Sequence, residues 1–122
     1  MSAGDAVRAC LADDNVDAAL EWSQRGMEDY LALGAKDSPQ FVELHGALHA
    51  RRGDYRAAVR LIGAAREQNR RAAMRWPVRP QTPAILEEAA RRLGAAAYEE
   101  AWQAGRGLHL ADIARSVPVP AP

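Results

Sequence analysis

Gly53-Asp54-Tyr55-Arg56-Ala57-Ala58 is the stretch on which the fold turns. Glycine just past a helix end takes the left-handed conformation that closes the last turn. An aspartate directly after it can accept the first free amide of a second helix. Tyr55, Ala58, Val59, Ile62 and Ala65 then recur at spacings of three and four, the apolar stripe of a helix. The hexad therefore reads as a tight turn between two helices.

The same pattern stands 39 residues earlier, in Asp14-Asn15-Val16-Asp17-Ala18-Ala19. A helix-turn-helix unit repeated every 34 to roughly 40 residues is the signature of a tetratricopeptide (TPR)-like solenoid. Small alanines let paired helices approach closely, and the Val16 and Tyr55 positions fill the space between them.

Outward from these two turns, helix signals continue. Residues 3–12 suit a short first helix. Val16, Ala19, Leu20, Ser23, Met27, Tyr30 and Leu31 form the stripe of a second, with Gly34 as its terminator. Ser38-Pro39 predicts a helix start by cap and first-turn proline, followed by Phe41, Leu44 and Leu48. The helix opening at Asp54 is expected to run to about Met74. Trp76-Pro77-Val78-Arg79-Pro80-Gln81 is an extended joint, because two prolines so close forbid a helix. Thr82-Pro83 repeats the cap-plus-proline start; Leu86, Ala89, Ala90 and Leu93 follow, and Gly94 interrupts. Ala97, Tyr98, Ala101 and Trp102 continue in a further helix, with a break expected at Gly105-Arg106-Gly107. Leu110, Ile113, Ala114 and Val117 suit a short last helix before a Pro-rich tail.

No segment alternates with period two, and no Asn-Gly or Asp-Gly hairpin turn is present. The expected fold is all-α: TPR-like helical hairpins, six to seven short helices, and a Pro-rich joint near 77–83. We expect one domain over 1–117 and a tail over 118–122.

The chain has 122 residues and a formal net charge of zero, so no global field draws it to nucleic acid or membrane. The charge is unevenly placed. Residues 1–50 carry a net −6, residues 51–79 a net +7, and residues 80–122 a net −1. The single Cys10 excludes an internal disulfide and a thiolate cluster. The first residues lack the basic and apolar regions of a signal peptide. No apolar run approaches the roughly 18 residues of a membrane span. A cytoplasmic location is expected.

Two longer stretches carry a family resemblance. Gly53-Asp54-Tyr55-Arg56-Ala57-Ala58-Val59-Arg60-Leu61-Ile62-Gly63-Ala64-Ala65 resembles the last TPR-like repeat of large actinobacterial transcriptional regulators of the LuxR and SARP types, which contain an ATPase module. Leu93-Gly94-Ala95-Ala96-Ala97-Tyr98-Glu99-Glu100-Ala101-Trp102-Gln103-Ala104-Gly105-Arg106-Gly107-Leu108 looks like the closing segment of the same proteins. The resemblance covers about residues 40–117 and includes the Pro-rich joint. Two departures are local: His109 replaces the usual Ser or Thr cap, and Glu67-Gln68-Asn69-Arg70-Arg71 is unusually polar. The chain has neither a Gly-x-x-x-x-Gly-Lys-Ser/Thr phosphate loop nor a DNA-reading helix-turn-helix. The resemblance thus implies a helical scaffold that docks partners, not the family's ATPase or DNA-binding activity.

Candidate chemistry is sparse. His45 and His49 have the four-residue spacing of a metal pair. Gly46 stands where the zincin pattern needs Glu, and no third ligand is evident, so they read as two partly exposed histidines. Cys10 reads as a structural thiol. Glu87-Glu88 and Glu99-Glu100 read as solvated or dipole-facing carboxylates. The sharpest candidate is the arginine strip Arg52, Arg56, Arg60, Arg66, Arg70, Arg71 and Arg75 on and around one long helix. Guanidinium groups bind carboxylates and phosphates bidentately. The strip could face the chain's own acidic third, a neighbour's acids, or solvent; bound to nucleic acid it would give salt-dependent affinity. Trp102 sits on an apolar stripe, whereas Trp22 and Trp76 lie off theirs and are candidate interface anchors.

The expected function is a non-catalytic TPR-like interaction module tied to transcriptional regulation or signalling, without cofactor or metal. Its partner would be another protein or a second copy of the chain. The alternatives are a nucleic-acid accessory factor using the Arg-rich helix 55–75, and a small-molecule-binding helical domain.

Overall fold

A computed structural model describes residues 15–33, 38–71, 80–108 and 112–113. Five helices lie within them: α1 (Val16–Leu33), α2 (Ser38–Arg52), α3 (Tyr55–Arg71), α4 (Thr82–Leu93) and α5 (Ala95–Arg106). No strand occurs among the described residues. The expected first helix at 3–12, the end of the long helix near Met74, most of the last helix, the joint from Trp76 to Arg79, and the tail lie outside them.

The two repeated turns share their local bonding. Asn15 Oδ1 accepts the Ala18 amide at 3.1 Å, and Asp54 Oδ1 accepts the Ala57 amide at 3.2 Å. Each side chain thus satisfies one of the free amides that open a helix. Gly53, at φ +96°, closes α2 with paired bonds: its amide donates to the Ala50 carbonyl, and the Asp54 amide to that of His49, both at 2.9 Å. One residue ends α2 while the next begins α3.

Two boundaries differ from expectation. Thr82 does not cap α4. Gln81 occupies the cap position without a side-chain bond, and the Thr82 hydroxyl donates to Glu43 Oε1 on α2 at 2.5 Å. The chain also stays helical through Gly105, to Arg106. Gly105 is a contact residue there: a Cβ would stand 1.9 Å from the Arg60 carbonyl oxygen, so α5 lies backbone-to-backbone on α3. Gly63 on α3 faces the Trp102 carbonyl in the same crossing, at 2.9 Å from an added Cβ.

Helix α3 is the hub. It packs extensively on α2 and on α5, and more lightly on α4. Burial runs almost around its circumference, from Ala57 to Gln68. Such a helix exceeds the single stripe of a surface helix. Met27, Val42, Leu61, Ala65 and Ile113 form one core cluster; Val59, Ala89 and Ala101 form another, covered by Leu86, Tyr98 and Trp102. Helix α1 packs mainly on α2, through Ala19, Leu20 and Leu48.

Candidate interaction site between helices α2 and α4

Helix α4 has two apolar faces. Leu86, Ala89 and Leu93 turn toward the α3–α5 core, as their spacing predicts. Ala84 and Ile85 lie off that stripe and face a groove of about 450 Å³. Across the groove stand Leu44, Ala47, Leu48 and Arg51 of α2, with Tyr55 from the start of α3; Gln81 and Glu88 complete it. The floor is apolar and the polar groups few, which is the general character of a binding cleft.

Helices α2 and α4 touch little, and the groove lies between them. At one end is the Thr82–Glu43 bond, with both side chains buried. Toward the other, α4 is held to α3 instead: the Arg92 guanidinium lies 5.2 Å from the centre of the Tyr55 ring, a cation–π contact. Glu88, on the rim, is itself held by Arg91 and Arg92. Those bonds pull its carboxyl below the ordinary range, the Arg92 hydrogen bond most strongly.

The arginines do not form one continuous strip. Arg52 pairs with Asp17 at 3.1 Å, tying the end of α2 to the start of α1. Arg70 and Arg71 bind Glu67 at 2.5 and 3.2 Å, and Arg106 reaches the same carboxylate from α5 at 3.5 Å. Glu67 is buried, and these partners draw its carboxyl down to about 2, the Arg70 hydrogen bond first. The polar run 67–71 is thereby explained: Glu67 gathers three guanidiniums, and Gln68 donates to the Leu108 carbonyl at 3.4 Å. Arg56 is exposed on α3, while Arg60 and Arg66 are half-buried. Trp22 is exposed on α1, with the Arg25 guanidinium 5.3 Å from its ring. Arg75, Trp76 and Cys10 lie outside the described residues.

The histidines depart most from expectation. Both are buried, not partly exposed. His45 Nδ1 meets Ser23 Oγ of α1 at 2.9 Å, and its Nε2 meets His49 Nε2 at 3.3 Å. His49 Nδ1 stands 4.0 Å from Asp54 Oδ2. Burial, reinforced by His49, pushes His45 down to about 3. Burial also lowers His49, against the pull of Asp54 and with the help of Arg52. Among the described residues no three His, Cys, Asp or Glu side chains are grouped to hold a metal ion. Glu87, Glu99 and Glu100 are exposed. No described helix is long and apolar enough to cross a membrane.

The groove was only half visible in the sequence. Leu44 and Leu48 stand out as a stripe, but a stripe does not say that one edge is left open. Ile85, an apolar residue outside the stripe of its own helix, was the available signal.

Comparison with protein-family models, with curated proteins and with solved structures finds no match to this chain.

Proposed function

We propose that this chain is a non-catalytic, TPR-like interaction module that holds a peptide or helix of a partner protein in the α2–α4 groove. The observation that carries the reading is the groove itself: an apolar floor of Leu44, Ala47, Leu48, Ala84 and Ile85, edged by Arg51, Gln81 and Glu88. Such a floor takes the apolar anchors of an amphipathic segment, and the rim takes its polar backbone and charges. The matching caps at Asn15 and Asp54 support a TPR-like repeat. The resemblance of 53–65 and 93–108 to LuxR-type and SARP-type regulators supports a cytoplasmic docking role in transcriptional regulation. Pairing of Arg52, Arg70 and Arg71 with carboxylates of the same chain weighs against a phosphate-binding strip.

The test is selection of binding peptides from a displayed library, followed by fluorescence anisotropy with Ala84→Glu and Ala47→Glu. Ala84 is exposed and Ala47 half-buried, so a charge there alters the groove with little demand on the core. Binding should weaken at least tenfold, about 1.4 kcal/mol, with the circular-dichroism melt retained. Unchanged affinity in both variants would remove the groove as the site.

A further inference from the structure

We propose that Ser23, His45 and His49 form an acid-sensitive latch that clamps α1 onto α2 and releases it when the solution is mildly acidified. One order of donors and acceptors suits the neutral state best. In it the Ser23 hydroxyl donates to His45 Nδ1 and His45 Nε2–H donates to His49 Nε2, while His49 Nδ1–H makes no hydrogen bond and stands 4.0 Å from Asp54 Oδ2. The reverse order would set a bare His49 Nδ1 lone pair toward that carboxylate, which is repulsive.

Burial makes this pair a poor place for added protons, against the pull of Asp54 on His49. Ser23, His45 and His49 are all enclosed, so a first proton puts a charge into a site shut off from bulk solvent. A second would place two N–H donors and two positive charges face to face across 3.3 Å. The charged groups felt by the pair are few. Asp54, at the start of α3, lies near His49, and Arg52, at the end of α2, is shared with Asp17 of α1. Glu43, two positions before His45, is engaged by Thr82 of α4. Ser23 is the α1 side of the latch and is uncharged. In the released state both rings regain water and their ordinary affinity for protons, near pH 6.5. Acid therefore favours release.

Helix α1 is the element that such a switch can move. Its packing is mainly with α2, whereas α2, α3 and α5 hold one another. Leu44 and Leu48 contact α1 and also line the groove, so release reaches the groove floor. The latch stands whether or not a peptide binds there.

The experiment is hydrogen–deuterium exchange by mass spectrometry on the full chain from pH 7.5 to 5.0, corrected for intrinsic exchange rates. Protection of α1 amides should fall about tenfold per pH unit below 6.5 for each histidine that gains a proton on release. It should fall while α3 and α5 remain protected. In a His45→Gln/His49→Gln double variant the pH dependence of α1 should disappear. Flat α1 protection across the range in the unsubstituted chain overturns the proposal, as does an equal loss in all helices. Should the double variant fail to fold, nuclear magnetic resonance titration of the unsubstituted chain decides. Imidazole signals that titrate near pH 6.5 with α1 intact would overturn the latch.

Discussion

Gly105 and Arg60 meet backbone to backbone: a methyl group on Gly105 would stand 1.9 Å from the Arg60 carbonyl oxygen. That separation is far inside van der Waals contact, and the obstacle is main chain, which cannot rotate aside. The α3–α5 crossing is therefore set by two glycines, with Gly63 facing the Trp102 carbonyl in the same interface.

Gly105→Ala should consequently lower stability by about 3 kcal/mol or more, at the upper end of overpacking costs. Gly63→Ala should cost less, since the added Cβ would meet its nearest atom at 2.9 Å. Gly53→Ala meets no steric obstacle and should cost roughly 1–2 kcal/mol, through its φ of +96° alone. Urea denaturation followed by circular dichroism ranks the three. A Gly53 variant less stable than the Gly105 variant would contradict the crossing geometry.

The matched turns make a paired prediction. Asn15→Ala and Asp54→Ala each remove a side-chain acceptor from the first turn of a helix. Each should cost about 1 kcal/mol. Because Asn15 and Asp54 start different helices, the double variant should show near-additive losses. A Ser at either position should restore most of the stability.

Stability should fall on mild acidification. His45 and His49 have folded-state affinities for protons below the ordinary value of 6.5. The unfolded chain therefore binds more protons below pH 6.5, and stability is full above that value. It should decline as pH drops, by up to about 1.4 kcal/mol per unit for each histidine, until His45 itself titrates near 3. Glu67 acts lower: its stabilisation is present above its ordinary 4.5 and lost as pH falls toward about 2. Equilibrium unfolding at pH 7.5, 6.5 and 5.5 isolates the histidines. No change across that range would contradict their burial as neutral rings.

Glu67→Gln leaves Arg70, Arg71 and Arg106 facing one another without the carboxylate that joins them. The variant should unfold at lower urea than the unsubstituted chain. Glu88→Gln, which disturbs only a same-helix cluster with Arg91 and Arg92, should shift the midpoint less. Added salt should shrink the difference between Glu67→Gln and the parent.

Much was legible in the sequence because it is local. The all-helical class follows from spacings of three and four, and the Gly53 turn and the Asp54 cap from residues that act within one helical turn. Gly94 was readable as a break on the same grounds, and at φ +81° it separates α4 from α5. Gly105 was misread as another break because glycine usually marks one. Its role as a helix contact depends on Arg60, 45 positions away.

What the sequence by itself determined is that the chain is helical, where most of its helices open, and which of their faces are apolar. Only the tertiary structure decided which polar residues go inside. Ser23 meets His45 across 22 residues, while Thr82 meets Glu43 and Arg106 meets Glu67 across 39 each. Periodicity cannot express such pairings, because a single stripe gives a helix one partner. Helix α3 has three, and enclosure by them turns the Arg-rich helix from an apparent surface into the centre of the fold. The groove between α2 and α4 arises for the same reason. Its walls belong to helices whose separation is set by what each holds elsewhere.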